Sequence, residues 1–381
     1  MLKTNPSATI SGQAMKTFAG IRMLRHVRGW YVRFERPISS ACLVGGFVFD
    51  ALTLHRVDTF WENLWVVVHL LVVAACIVLV NREENEAAHG KDSPRARFWL
   101  VNLLQLFYGG LLSTLLVFYF RSGGLSASWP FLLVLAVAFA ANESLKKHYA
   151  RLGFQISLFY LSLFCFTIFI VPVLVHAMGP LVFVLSGAVR LLLVALFLRV
   201  LEAFSKETMS RGRREVSISI LAIFLGVNAL YFLNLIPPIP LSLLDARVYH
   251  SIAKDPKGGY QAQSEERGWL GFLRWTDTIH LPTSGTAYAY SAVFSPTSLD
   301  TRIVHDWQRY DEKRGWVTVS RVELPLVGGR GGYRTYSIKT QMSPGAWRVN
   351  VETPRGALLG RLRFNVAAEA GAPALRSEFK D

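Results

Sequence analysis

IPPIPLSLLDARVYH, residues 236–250, is where the chain changes character. Pro237, Pro238 and Pro240 end any helix arriving from the N-terminal side and stiffen the exit. Before them the sequence runs in long apolar stretches. After them it breaks into short alternating segments separated by Gly, Pro, Asp and Ser. Two kinds of structure are expected, joined by a linker over residues 237–246.

On the upstream side the expectation is a membrane domain over residues 38–236. Of 381 residues, 52% are hydrophobic and 18% charged, less charge than a soluble chain of this length carries. Seven segments approach the ~20 apolar residues that cross a bilayer: Ile38–Leu54, Phe60–Val80, Phe98–Phe120, Trp129–Ala141, Phe154–Val175, Leu181–Val200 and Val216–Ile236. The fourth is short and the sixth carries Arg190. Basic residues alternate by loop. Lys3, Lys16, Arg22, Arg25, Arg28, Arg33 and Arg36 sit in the N-terminal arm, with further clusters at Arg82–Arg97, Lys146–Arg151 and Lys206–Arg214; the intervening loops hold only Arg56 and Arg121. Basic loops favour the cytoplasm, which predicts a cytoplasmic arm over residues 1–37, seven crossings and an extracytoplasmic C-terminal half. The arm has no apolar core, so it does not read as a cleaved signal peptide. The net charge of +15 then belongs to membrane loops and does not imply a nucleic-acid partner.

Downstream, eight segments read as strands: Arg247–Ala253, Tyr260–Ser264, Thr286–Phe294, Arg302–Tyr310, Trp316–Leu324, Tyr333–Thr340, Ala346–Val351 and Leu358–Val366. Their number and spacing suit an all-β sandwich of the immunoglobulin-like kind over residues 247–366, followed by a flexible tail over 367–381. RGWLGFLRWTDTIHL, residues 267–281, interleaves tryptophans with arginines and reads as contact with the membrane–water interface. VELPLVGGRGGYRTYSIKT, residues 322–340, is glycine-rich without the following helix that a phosphate cradle needs. It reads as a hairpin turn at Gly328, Gly329, Gly331 and Gly332 leading into a strand.

His305 and Trp307, then Arg334, Tyr336, Ser337 and Lys339, then Gly345, Trp347, Arg348 and Val349, and last Phe364 and Val366 follow a pattern of H-x-W, R-x-Y-[ST]-x-K, G-x-W-R-V and F-x-V. In this the segment 286–366 resembles the bacterial domain of unknown function 2914. FDALTLHRVDTFWENL, residues 49–64, resembles the membrane half of bacterial proteins that end in this domain. The resemblance implies a multi-pass protein of the bacterial inner membrane with a periplasmic β domain, and no established reaction.

Basic side chains interleaved with aromatics suit anionic glycans, lipid headgroups or acidic peptides. His305, Trp307, Arg334, Tyr336, Lys339 and Arg348 are the candidate ligand- or partner-binding residues. Ionisable residues inside a membrane are expensive to place, which singles out Asp50, about four residues from the outer end of its helix, and Arg190, about ten residues in, roughly 15 Å deep. A pair between them would suit a transporter. Asp50, Asp58 and Glu62, near the outer edge, would suit acid–base work on a lipid-linked substrate. There is no H-E-x-x-H, G-x-S-x-G or Walker loop. Cys42, Cys76 and Cys165 sit in apolar runs without metal-ligand spacing. No catalytic set, metal or cofactor is therefore expected. The reading that follows is a binding or scaffold protein, or a sensor, that holds a β domain beside the lipid bilayer for an envelope protein, an anionic lipid or a glycan.

Overall fold

The computed structural model describes residues 44–54, 59–90, 93–123, 125–144, 149, 151–256, 258–265, 276–282, 284–295, 301–326, 329–368 and 373–380. The basic arm, Cys42, Arg56, Asp58, Lys91, Lys146, Lys147, Gly328 and most of the 267–281 stretch lie outside these residues.

The first half is helical: α1 (Val44–Thr53), α2 (Phe60–Ala88), α3 (Pro94–Ser122), α4 (Leu125–Ser144), α5 (Leu152–Val175), α6 (Pro180–Phe204) and α7 (Lys206–Phe232). Of these, α2, α3, α5, α6 and α7 are long and apolar enough to cross a membrane. α5 is apolar on every side and buried over most of its length, the signature of a helix surrounded by others. α2, α3, α6 and α7 pack around it. Two boundaries differ from the sequence expectation. α2 runs on through Asn81–Ala88, a stretch rich in Glu and Ala, which favour helix. α7 starts at Lys206, so Lys206, Arg211, Arg213 and Arg214 occupy its first turns and not a loop.

The basic helix ends gather at one end of the bundle, where Arg97 meets Glu84 at 3.8 Å and His89 meets Glu207 at 3.5 Å. A buried network holds this end together. Asn81 donates to Gln155 Oε1 at 2.6 Å, Tyr108 donates to the Gln155 carbonyl at 2.6 Å, and Gln155 donates to the Tyr149 carbonyl. Tyr149 in turn donates to Asn142. Buried polar groups paired this way fix helix register.

The second half is β-rich, its described residues forming eleven strands in three sheets: β1 (Ser242–Tyr249), β2 (Ser251–Lys254), β3 (Tyr260–Glu265), β4 (Asp277–Leu281), β5 (Ala287–Ser295), β6 (Thr301–Asp311), β7 (Gly315–Leu326), β8 (Gly329–Lys339), β9 (Gly345–Glu352), β10 (Leu358–Ala368) and β11 (Leu375–Lys380). The orders are β1-β5-β8, β4-β10-β9-β6-β7 and β11-β3-β2. The first two sheets face each other over Ala287, Ala289, Trp307, Trp347, Val349, Phe364 and Val366. The third lies against the back of the first over a tyrosine cluster: Tyr249 and Tyr290 are buried, with Tyr260, Tyr288 and Tyr336 around them. Three layers thus replace the expected two-sheet sandwich. The reason is visible in β5, which is buried at nearly every position, as a strand covered on both faces must be. Two strands escape the sequence reading. β4 lies at the end of the tryptophan-rich stretch and pairs in parallel with β10, and β11 converts part of the expected tail into a partner of β3.

The glycine stretch does not close a hairpin. β7 pairs with β6 and β8, which begins at Gly329, pairs with β5, so the chain changes sheets after Leu326. Gly332 has φ +88°, and a Cβ there would stand 2.8 Å from Leu244 Cδ1. Gly332→Val therefore meets both backbone strain and a clash. The expected loss is about 1–3 kcal/mol of stability in the β half, read as a lower urea midpoint.

The two halves are packed together. Ile236, Ile239 and Phe294 belong to the same apolar cluster as the helix bundle, and Pro237, Pro238 and Pro240 are buried. Asn234 donates to the Arg355 carbonyl at 3.0 Å, and Arg355 donates to the Tyr231 hydroxyl at 2.7 Å.

Candidate functional site

β6 sends alternate side chains to opposite faces of the five-stranded sheet. Ile303, His305 and Trp307 point inward and are fully buried. His305 bonds Ser291 Oγ through Nε2 and Ser337 Oγ through Nδ1, both at 2.8 Å, while Trp307 Nε1 donates to Ser337 Oγ at 2.9 Å. Every polar group is paired when Ser337 donates to Nδ1 and Nε2–H donates to Ser291, which is a neutral imidazole. Burial pushes the His305 pKa down to about 4. His305 and Trp307 are therefore core residues tying the two facing sheets, and not a recognition surface.

Arg334, Tyr336 and Lys339 lie on β8, in the other sheet. Tyr336 is packed between Tyr260 and Tyr288, with ring centroids 5.6 and 6.1 Å away. Arg334 is half-buried; its carbonyl accepts from Tyr260 and its guanidinium reaches the Gly332 carbonyl at 3.5 Å. The third sheet covers Tyr336 and part of Arg334 on this face, while Ile338 farther along it is exposed and Lys339, half-buried, alternates to the other side.

Arg348 has a different setting. On the outer face of the five-stranded sheet, β9 and β10 place Arg348 opposite Arg363 and Asn350 opposite Arg361. Arg348 donates to Gln308 Oε1 at 2.6 Å and lies over the Trp316 ring at 4.4 Å. Gln308 and Thr318 hold Asp306 Oδ2. Asp306 is buried, and its Oδ1 has no hydrogen-bond partner among the described residues. Arg361 donates to Asn350 at 2.6 Å, and Arg321 meets Glu352 at 3.0 Å. Burial, then Arg361 and Arg363, pull the Arg348 pKa down to about 10, and Arg361 is lowered by burial and Arg363. Burial and the Asp306 charge raise Glu352. The guanidiniums remain charged but repel one another, so an anion bound among them relieves a strain already present. Tyr310 stands beside Trp316, 5.3 Å between centroids, and extends the aromatic edge.

This face is far from the helices. Thr301, at the start of β6, lines the junction with the bundle. Gln308 lies seven residues along the strand, roughly 23 Å away at about 3.3 Å per residue. Gln308, Trp316 and Tyr310 escape the sequence reading because the alternation that pairs them with Arg348 crosses three strands. Strand register is the signal that brings them together.

In the helical half, Asp50 and Arg190 do not meet. Asp50 on α1 is half-buried beside Ser113 and His69. Arg190 is buried, its guanidinium carbon 3.4 Å from the Phe164 ring centre and within 5.5 Å of Phe183 and Phe224. Glu62 is half-buried in the first turn of α2. The Asp50–Arg190 pair that a transporter would use is not formed, because each residue has its own aromatic or polar neighbours.

Comparison with curated proteins gives no match. Among solved structures, the alkylpurine DNA glycosylase AlkC of Pseudomonas fluorescens, bound to DNA containing an abasic site analogue, aligns with 81% of this chain and 99% of its own at 12% identity. Its TM-score of 0.21 is too low to carry an argument about fold or function. The segment that holds His305, Trp307, Arg348 and Arg361, residues 300–366, matches the family described as Protein of unknown function (DUF2914).

Proposed function

We propose that this chain is a multi-pass protein of a bacterial inner membrane that holds its β half on the outer side and uses the Arg348 face to bind an acidic envelope partner. α1 and α4 complete seven crossings in this reading. Support for the orientation comes from the end of the bundle that carries Arg82, Arg95, Arg97, Arg151 and the first turns of α7, since basic residues favour the cytoplasm. The β half leaves from the opposite end.

One observation carries the binding role: Arg348, Arg361 and Arg363 converge on adjacent strands beside the exposed edge of Trp316 and Tyr310. The distance of this face from the helices favours an acidic protein or glycan of the envelope over the headgroups of the protein's own membrane.

The test is photocrosslinking in intact cells from a reactive residue at Tyr310. The expected result is a discrete acidic partner whose capture falls at least about tenfold in Arg348→Ala, the loss typical of a truncated charged contact. Undiminished capture in Arg348→Ala plus Arg363→Ala, or no capture from well-expressed protein, would falsify the binding role.

A further inference from the structure

Where the helices meet the β half there is a cavity of about 290 Å³. It lies at the level of the α5 C-terminus, the α6 N-terminus and the α7 C-terminus, the level of the membrane surface when the helices span. Its walls are mostly apolar, with Ile168, Met178 and Ile236 among them, and no Asp or Glu lines it among the described residues. Its polar groups are donors or neutral: Arg355, Asn234, Tyr231 and two threonines.

Positive charge stands at both ends. At the mouth, exposed Arg355 lies over the Tyr231 ring at 5.2 Å. Tyr231 stacks on Phe183 with centroids 3.5 Å apart and planes within 3°. On the bundle side of this pair is Arg190, 5.4 Å from the Phe183 ring. Arg190 is 1% exposed, and its Nε and Nη1 have no hydrogen-bond partner among the described residues. Arginine keeps its proton under all ordinary conditions, so two aromatic rings separate the cavity from a buried cation that is held by the Phe164 ring and neighbouring neutral polar groups. An apolar chamber flanked by two guanidiniums, with no acid among the described residues of its wall, is complementary to a group that is anionic at one end and apolar at the other.

We propose that this junction cavity binds an anionic phospholipid of the surrounding bilayer, with the headgroup phosphate on Arg355 and the first part of an acyl chain against Ile168 and Met178. Arg190 acts as a second, non-contacting charge behind the Phe183–Tyr231 stack. A bilayer lipid reaches this height without leaving the membrane, and the volume is many times what a single water needs. The proposal requires that the helices span, and it is independent of what binds at Arg348.

Native mass spectrometry and thermal shift on the full chain in neutral detergent test it, with phosphatidylglycerol, phosphatidylcholine and inorganic phosphate as probes. Phosphatidylglycerol should be retained and should raise the melting temperature. Arg355→Gln should weaken retention by about tenfold, and Ala357→Trp, which fills the cavity, should abolish it. Arg302→Gln, a change at an exposed residue paired with Glu323, should leave it unchanged. Equal retention of phosphatidylcholine overturns the proposal. So does retention that survives both Arg355→Gln and Ala357→Trp, and so does competition by inorganic phosphate, which would assign the site to a free anion. Because Arg348 is not altered, failure here leaves the envelope-partner reading standing, and the reverse also holds.

Discussion

Trp307→Ala is expected to unfold the β half at growth temperature while the helices stay inserted. Trp307 is one of two tryptophans, with Trp347, in the space between the two facing sheets; it is fully buried and meets Phe364 edge to face at 6.3 Å. Removing a buried tryptophan costs about 3–5 kcal/mol. That is a large share of the 5–15 kcal/mol that holds a domain together. The lost Nε1–H also leaves Ser337 with one acceptor position empty, a smaller effect of about 1 kcal/mol. Trp307→Phe separates the two: it keeps most of the packing and should lose about 1–2 kcal/mol. Pulse proteolysis in urea, scored on fragments of the β half, reads both. A Trp307→Ala protein with a wild-type midpoint would mean that the facing sheets do not depend on this side chain.

The second large effect is acid. His305 is neutral in the folded core and its pKa is held near 4, against about 6.5 in an unfolded chain. The unfolded state therefore binds the extra proton first. Stability falls as pH drops from 6.5 toward 4 and is flat below, a total of about 3 kcal/mol from this residue. Two carboxylates act in the same direction lower down. Burial pushes Glu265 up, but the backbone and ring of His280 and the ring of His250 outweigh it, and the net value lies below the ordinary one. Burial likewise raises Glu378, while Arg247 and Lys380 bring it down overall. A lowered carboxylate stabilises above its unfolded pKa, and that contribution is lost as pH falls through the folded value. Glu265 ties β3 to His280 of β4 at 2.8 Å, and Glu378 ties β11 to Arg247 of β1. The third sheet should therefore loosen at the most acidic end of the titration, after the His305 phase. In His305→Gln the decline between pH 6.5 and 4 should vanish and the later carboxylate phase should remain. An unchanged slope in that variant assigns the first phase to another group.

The helical half shows its outline in the sequence because lipid and water sort residues over long windows. Phe60, Leu152 and Pro180, at or within two residues of the expected starts, begin α2, α5 and α6. The start of α7 is hidden because Lys206–Glu215 is polar, and polarity separates a span from a loop but not a helix from a loop. The β half is less legible for a different reason. Period-two alternation says which residues share a face, but not what covers that face. His305 and Trp307 share one with Ile303, and the facing sheet that covers it comes from strands tens of residues away. Arg334 and Tyr336 likewise share a face, and the sheet over it is closed by β11, at the far end of the chain. Arg348 is half-buried between Gln308 and the Trp316 ring, neighbours that only strand register brings to it. Arg355 and Tyr231 stand 124 positions apart, beyond the reach of any local pattern.

The buried linker has a consequence for transplanting the β half. Phe294, at the end of β5, shares an apolar cluster with Ile236, Ile239 and the helices, and Gly123 leaves a space that Pro237 occupies. A β half transplanted onto a foreign anchor, or released as a secreted fragment, would turn that greasy root toward water and favour clumping. Moving the β half onto another anchor is therefore expected to need a polar replacement at Phe294 to keep it soluble.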